Sequence, residues 1–307
     1  MLKQKMKTMP TTAGNLPMLR AAYSDRTAAL MAKLADLAYE FPPDEKSVGT
    51  PAITPVAFRT LGFQKITYFH NGWDDGWAYV VEGPDIIVVA FRGTATTKNW
   101  GTNFQVSMVN PPGTNESLRV HHGFFDAFNA LANGLNIKTQ KLQKGLRQTI
   151  DDIMAKTEGK VPIFFTGHSL GGALAQIATA VFGCDQVAAC YTFGSPRVGN
   201  KYFDLWVKPP SYRIENYADI VPQVPYFSPK LPIPEIYRHS GDARYLPYQV
   251  DGSPFRYEPS IFIRFWQLLV GLVHFIGACS ILGIADHSRE KYVSKLAAIA
   301  DERNYSR

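Results

Sequence analysis

The sequence predicts an α/β fold, with a mostly parallel central sheet and helices on both of its faces. Short apolar runs of strand length alternate along the chain with longer segments of helical spacing, an order typical of parallel sheets. One run, Ile86–Phe91, is apolar at every position, as expected for a strand buried on both faces. With 307 residues, of which 46% are hydrophobic and 19% charged, the chain can bury the core that this fold needs.

The elements follow in chain order from apolar periodicity and from the turn residues between them. The first helix is predicted over Asp25–Tyr39, where Leu30, Leu34 and Leu37 recur at helical spacing and Ser24 or Asp25 can cap the N-terminus. The other predicted elements are strands at Phe63–Phe69, Trp77–Val81, Ile86–Phe91, Ile163–Phe165, Gln186–Phe193 and Tyr212–Asn216, one long helical region over Gly123–Ile153 with breaks near Gly134 and Gly145, a helix from Ser169 to about Phe182, a short hairpin near Tyr245–Tyr257, and a last helix over Asp286–Asp301.

Composition and the chain ends limit the functional classes. Residues 1–22 are polar and interrupted by Pro and Gly, which predicts a loose arm, and residues 23–307 are predicted to form one domain. No apolar core follows the first lysines, so we recognise no secretory signal and expect a cytoplasmic or peripheral membrane protein, or export by another route. The net charge of +6 suits an anionic membrane surface, whereas the lack of an Arg/Lys-rich tract argues against nucleic acid.

The cysteines do not predict a stabilised scaffold or a metal site. There are three, too few and too scattered for a disulfide framework. A bridge between Cys184 and Cys190 stays open, but no His or further Cys near them suggests zinc.

The chain is organised around Gly167–Gly171, a G-x-S-x-G pentapeptide with Ser169 at its centre. The apolar run Ile163–Phe165 precedes it and an Ala- and Leu-rich helical pattern follows it, so the motif stands between a strand and a helix. The sharp turn lifts the serine hydroxyl above the sheet edge and points the helix N-terminus towards it. Glycines are needed on both sides, because side chains there would collide with the neighbouring strand or helix. This pattern predicts a serine nucleophile.

A serine hydroxyl needs a base within hydrogen-bond reach, and the base needs an orienting acid. On sheets that carry this turn, the acid and then a histidine follow the nucleophile along the chain. The candidate bases are His239, His274 and His287. His287 is favoured because it lies in a loop before the last helix, whereas His274 lies in an apolar helical segment. Asp219 is the candidate acid because it directly follows a buried strand, at the sheet edge where active sites assemble.

The same chemistry requires two N–H donors that are already in place for the oxyanion. Leu170, the residue after the nucleophile, is expected to supply one. Thr94, in the loop after the Ile86–Phe91 strand, is expected to supply the other. These residues imply no metal and no cofactor.

Taken together, the motifs resemble the class 3 lipases, the fungal-type triacylglycerol lipase family. The matching stretches are Val89–Thr94, Lys98–Trp100, Val120–Phe124, Thr166–Ala175, Tyr191–Asn200, Asp219–Pro222 and Asp286–Tyr292. The resemblance implies an α/β-hydrolase fold and hydrolysis of carboxylic esters. It implies the triad and oxyanion roles for the residues named above: Ser169, Asp219, His287, Thr94 and Leu170.

The resemblance carries two further expectations. His239 is implied to be the non-catalytic histidine that precedes the Asp-His motif. A lid follows the first oxyanion residue in this family, which implies a mobile amphipathic flap at about 95–106, including Lys98, Asn99 and Trp100.

The chain departs from the family at about 255–285, where an apolar insertion precedes the predicted base. Phe265–Ala285 has no formal charge and is long enough to cross a bilayer. A single crossing would put His287 on the opposite side of the membrane from Ser169. A helix that lies on the surface or acts as a lid is therefore preferred, with a re-entrant membrane hairpin and a core helix as alternatives.

The leading hypothesis is a lipase or esterase that cleaves lipid esters through an acyl-enzyme, at a lipid–water interface or membrane surface. Phospholipase A1 or diacylglycerol lipase activity with the same triad is the alternative. A non-catalytic lipid- or membrane-binding protein on a hydrolase scaffold is an alternative of another class. The oligomeric state is not predicted.

Overall fold

The computed structural model describes residues 19–40, 48–73, 76–94, 107–228, 235–248 and 285–302. The strands are β1 Lys65–His70, β2 Trp77–Glu82, β3 Ile87–Phe91, β4 Met108–Val109, β5 Val120–His121, β6 Leu135–Asn136, β7 Lys141–Leu142, β8 Ile163–His168, β9 Val187–Phe193, β10 Ser211–Asn216, β11 Phe227–Ser228, β12 Glu235–Ile236 and β13 Asp242–Leu246. The helices are α1 Asp25–Glu40, α2 Val56–Arg59, α3 His122–Asn133, α4 Leu146–Lys156, α5 Leu170–Val181, α6 Lys201–Trp206 and α7 Arg289–Glu302, with a 3-10 turn at Val221–Gln223.

A seven-stranded sheet with the order β1-β2-β3-β8-β9-β10-β13 forms the centre of the fold. The strands from β3 to β13 pair in parallel, and β1 and β2 add antiparallel pairs at one edge. The predicted mostly parallel sheet is therefore confirmed. Because β8 and β10 are separated only by β9, residues that follow them meet at the same edge of the sheet.

Two apolar clusters cover the two faces of this sheet, because successive strand side chains point to opposite sides. In β3, Val89 and Phe91 belong to the cluster under α3, α4 and α5, whereas Val88 and Ala90 belong to the cluster under α1 and α7. Helix α5 is buried from Gly171 through Ala180, consistent with its small apolar residues. The predicted helices on both faces are confirmed.

The predicted breaks near Gly134 and Gly145 are confirmed, whereas the hairpin between them was not predicted. Helix α3 ends at Asn133, before Gly134, whose φ of +71° stops the helix, and α4 begins after Gly145, with the small hairpin β6–β7 between the two helices. Tyr245, where the predicted hairpin begins, lies in β13, which pairs in parallel with β10. The rest of the predicted hairpin lies outside the described residues.

Other predictions meet the limits of the described ranges. Residues 1–18 of the predicted arm, the predicted lid at 95–106 and the predicted insertion up to residue 284 lie outside them. Cys184 and Cys190 are free thiols. Across the ranges given above, no helix is both long and apolar enough to cross a membrane.

Candidate active site

Ser169 stands in the tight turn between β8 and α5. Its backbone has φ +61° and ψ −130°, a conformation that residues with side chains rarely adopt. A Cβ at Gly167 would lie 2.2 Å from the Gly171 carbonyl, and one at Gly171 would lie 2.1 Å from the Phe91 carbonyl oxygen. Only glycine fits at these two positions, so the turn can close against β3 and hold the serine at the head of the helix.

Asp219 and His287 form a buried hydrogen-bonded pair above the end of β10. The His287 Nδ1 atom lies 2.9 Å from Asp219 Oδ2 and 3.1 Å from Oδ1. An ionised carboxylate only accepts, so Nδ1 carries the proton of the neutral imidazole and the ring lone pair is on Nε2. The Val221 N–H donates to Oδ1 at 2.9 Å, and the Tyr292 hydroxyl donates to Oδ2 at 2.6 Å. Three donors from different segments therefore fix this carboxylate.

Tyr292 is a neutral donor to the carboxylate. Burial raises the pKa of its hydroxyl well above the usual value, and the charge of Asp219 raises it further. The same hydroxyl accepts the Asn216 N–H at 2.9 Å. It therefore links the end of β10 to helix α7, next to the predicted acid.

Gly194 is next to both the backbone contact of Ser169 and the Asp219–His287 pair. It follows Phe193, whose carbonyl oxygen accepts the Ser169 N–H at 2.9 Å. Its φ is +57°, and a Cβ there would lie 2.7 Å from Asp219 Oδ2 and 2.9 Å from His287 Nδ1. The end of β9 thus holds the serine backbone at one residue and packs against the Asp–His pair at the next. The Ser169 hydroxyl is buried and makes no hydrogen bond to any residue that the structure describes.

Thr94 and Leu170, the predicted oxyanion donors, adjoin Ser169 from two elements. Leu170 is the first residue of α5, so its N–H has no acceptor within the helix. Thr94 follows Gly93, where a Cβ would lie 3.1 Å from the Ser169 Cβ. The segment after β3 therefore runs beside the nucleophile turn, with Thr94 half-buried. The action of these two residues on an oxyanion stays a prediction.

His168, the second residue of the pentapeptide, is buried beside the predicted base. Its Nε2–H donates to the His287 carbonyl oxygen at 2.8 Å, and its Nδ1 accepts from the Tyr39 hydroxyl at 3.0 Å. The two imidazole ring centroids are 4.4 Å apart. Burial lowers the pKa of His168 well below its usual value, and His287 and Arg289 lower it further. His168 is therefore neutral, with its proton on Nε2.

Of the other candidate bases, His239 is not part of this arrangement. His239 lies in a separate cluster, with its Nε2 atom 3.9 Å from Glu215 Oε1. Burial lowers the pKa of His239 well below its usual value, and the charges of Arg213 and Arg197 lower it further. His274 lies outside the described residues.

Three residues of this site were not assigned a role from the sequence: His168, Asn216 and Tyr292. The available signals were weak: a histidine inside the pentapeptide, a polar residue at the end of a buried strand, and a tyrosine one helical turn after the predicted base. Lys98, Asn99 and Trp100 of the predicted lid lie outside the described residues, so the lid stays a prediction. The described residues contain no group of three side chains arranged to hold a metal ion.

Comparison with known proteins gives matches to lipases and phospholipases. Residues 88–228 match the sequence model of the family described as Lipase (class 3). The chain is 35% identical over 173 residues to the secreted mono- and diacylglycerol lipase 1 of Fusarium solani, covering 55% of this chain and 45% of that protein. It is 30% identical over 193 residues to phospholipase A1-II 1 of Oryza sativa subsp. indica, covering 56% and 49%. The chain thus spans less than half the length of these curated relatives.

Solved structures share the fold. The Rhizomucor miehei lipase in its propeptide complex superposes with a TM-score of 0.56 and 24% identity, covering 77% of this chain and 72% of that one. Lipase II from Rhizopus niveus superposes with a TM-score of 0.55 and 22% identity, covering 72% and 80%. The α/β-hydrolase fold implied by the sequence motifs is therefore confirmed.

Proposed function

We propose that the protein is a carboxylic ester hydrolase that acts on lipid esters, because residues 88–228 match the sequence model of the class 3 lipases. One observation carries the proposal. At the end of β9, the Phe193 carbonyl oxygen accepts the Ser169 N–H, and the next residue, Gly194, packs against the hydrogen-bonded Asp219–His287 pair. A strained serine at a helix N-terminus, next to a carboxylate-oriented imidazole, is the arrangement that nucleophilic acyl transfer requires.

In the acylation step, the Ser169 oxygen attacks the ester carbonyl carbon and its proton passes to His287 Nε2. The Nδ1–H of His287 is donated to Asp219, which orients the ring and stabilises the imidazolium that forms. The carbonyl oxygen becomes an oxyanion, which accepts from the N–H groups of Leu170 and Thr94. The alkoxide then leaves, takes the proton from the imidazolium, and departs as an alcohol.

Deacylation repeats these steps with water as the nucleophile. His287 takes one proton from water, and the hydroxide attacks the carbonyl carbon of the Ser169 ester. The second tetrahedral intermediate collapses, the serine oxygen regains its proton, and a carboxylic acid is released. The carboxylate of Asp219 holds the same position throughout, because three donors fix it.

The proposed substrate class is acylglycerols or phospholipids. The first relative named above is a mono- and diacylglycerol lipase and the second is a phospholipase A1. Both reactions break a carboxylic ester and use the same triad, so the difference between them lies in how the acyl chains and head group are bound. We place the substrate at a lipid–water interface or membrane surface, in agreement with the family.

The test compares wild-type protein with Ser169→Ala on a p-nitrophenyl ester. Removing a triad residue costs about 10⁴-fold or more in kcat, so the variant should show no turnover above background. Parallel assays on triacylglycerol, diacylglycerol and phospholipid vesicles then assign the substrate class. Wild-type protein that binds these vesicles without hydrolysing any ester would support the non-catalytic lipid-binding alternative and contradict the proposal.

A further inference from the structure

Two side chains hold the backbone of the segment that carries the proposed base. The Asn216 Nδ2–H donates to the carbonyl oxygen of Asp286 at 2.7 Å. The His168 Nε2–H donates to the next carbonyl oxygen, that of His287 itself, at 2.8 Å. Both side chains and both carbonyls are buried, so each bond is shielded from water.

These two carbonyls lie before helix α7, and they are therefore outside its ladder of backbone hydrogen bonds. The two donors come from different strands, since His168 ends β8 and Asn216 ends β10. The base segment is thus attached directly to the strands that precede the proposed nucleophile and the proposed acid. The two side chains therefore attach the backbone of residues 286 and 287 to the ends of β8 and β10.

The first donor is itself oriented from α1. The Tyr39 hydroxyl donates to His168 Nδ1 at 3.0 Å, which leaves the proton on Nε2, where it faces the carbonyl of the base. Two guanidinium groups lie near the Tyr39 ring, those of Arg289 at 4.2 Å and Arg92 at 5.8 Å from its centroid. Arg289 is paired with Asp36 of α1 at 3.1 Å. A connected set of contacts therefore fixes the ring plane and the tautomer of His168.

We propose that His168 and Asn216 are positioning residues for the base, which hold the backbone of residues 286 and 287 so that the imidazole faces both the acid and the nucleophile. This inference rests on the function proposed above. A shift of about 1 Å in a reacting group can cost about 10²-fold in rate.

The decisive comparison at the first position is between His168→Asn and His168→Gln. The glutamine amide nitrogen reaches the position of the histidine Nε2 and keeps the donor, whereas the shorter asparagine loses it. His168→Asn should lower kcat about 10²-fold, and its KM should change less than about threefold. The kcat of His168→Gln should be about tenfold higher than that of His168→Asn. Steady-state kinetics on a soluble p-nitrophenyl ester measure both values.

At the second position, Asn216→Asp keeps the oxygen that accepts from Lys295 at 2.7 Å and replaces the donor to Asp286 by a carboxylate oxygen, which repels that carbonyl. It should lower kcat about tenfold at unchanged KM. The double variant His168→Asn/Asn216→Asp should lose more kcat than the product of the two single fold-losses. In each single variant the remaining donor still holds the segment, whereas in the double variant neither does.

Matched controls separate positioning from general damage. His122→Asn makes the same change at a histidine whose side chain is 41% exposed and should leave kcat unchanged. If His168→Asn does not fold, Tyr39→Phe decides: it deletes only the hydroxyl that orients His168 and should lower kcat about threefold to tenfold. Tyr248→Phe, at a tyrosine that is 64% exposed, is its control.

Equal kcat losses in the asparagine and glutamine variants, or wild-type kcat in Tyr39→Phe, would overturn the positioning role. Failure of the proposed function gives a different result, because either the wild-type protein would hydrolyse no ester or Ser169→Ala would retain ester turnover. Loss of turnover in Ser169→Ala together with wild-type kcat in both His168 variants would contradict only the positioning role.

Discussion

Replacing Gly194 by alanine tests the close packing of the Asp–His pair against the end of β9. The new Cβ would lie 2.7 Å from Asp219 Oδ2 and 2.9 Å from His287 Nδ1, so each group must recede by about 0.5 to 0.7 Å to reach ordinary contact. A shift of this size should lower kcat about 10- to 100-fold, by separating the base from the nucleophile. The alanine also adopts a φ of +57°, which costs about 1 kcal/mol of stability.

Gly113→Ala is the matched control, because its φ is +74° and a Cβ there would meet no atom within 4 Å. Both variants should lose a few degrees of melting temperature, since about 1 kcal/mol corresponds to about 2–4 °C or less in a chain of this size. Only Gly194→Ala should lose activity on a p-nitrophenyl ester. If the two variants had equal kcat, the proposed packing of the site around Gly194 would be refuted.

Two further variants test the contacts around the site and the acid sensitivity of the fold. Tyr292→Phe removes the 2.6 Å hydrogen bond to Asp219 and should cost about 2 kcal/mol of stability and about tenfold in kcat, measured by urea unfolding and ester hydrolysis. His121→Asn should flatten the dependence of stability on pH, because burial lowers the pKa of His121 from 6.5 to about 4 while asparagine does not titrate.

The sign for His121 follows from proton binding. Between pH 6.5 and about 4 the unfolded chain binds a proton at this residue and the folded protein does not, so its contribution to stability is present above pH 6.5 and is lost as the pH falls. From pH 8 to pH 5 the loss should be about 2 kcal/mol. Asparagine can still accept from the Phe124 N–H, as the His121 Nδ1 does at 3.3 Å, so the helix cap is kept. If His121→Asn and wild type lost equal stability between these pH values, the lowered pKa of His121 would be contradicted. If Tyr292→Phe had wild-type activity, the role of the Tyr292–Asp219 hydrogen bond would be contradicted.

The sequence predicted six of the seven strands of the central sheet closely, and the clearest of them are apolar runs between turn residues. For example, the predicted strand Gln186–Phe193 is Val187–Phe193 in the structure. The nucleophile turn and the loop positions of Asp219 and His287 were also predicted, because parallel strands bring their carboxyl ends to one edge.

The remaining features depend on contacts that are distant in sequence. β13 pairs in parallel with β10, about thirty residues earlier, so the local pattern at Tyr245 could not identify its partner. The hairpin β6–β7 consists of two-residue strands, too short for an alternating pattern. The hydrogen bond from His168 to the His287 carbonyl joins residues 119 positions apart, and no periodicity predicts it.

The proposed reaction requires Ser169 to be the nucleophile, and a covalent adduct shows which residue attacks. The protein is reacted with a fluorophosphonate, digested, and the modified peptide is identified by mass spectrometry. We expect one phosphonyl group on Ser169, no labelling of Ser169→Ala, and labelling slowed by about 10²-fold or more in His287→Asn. An adduct on another residue, or an unmodified Ser169 in protein that hydrolyses esters, would contradict it.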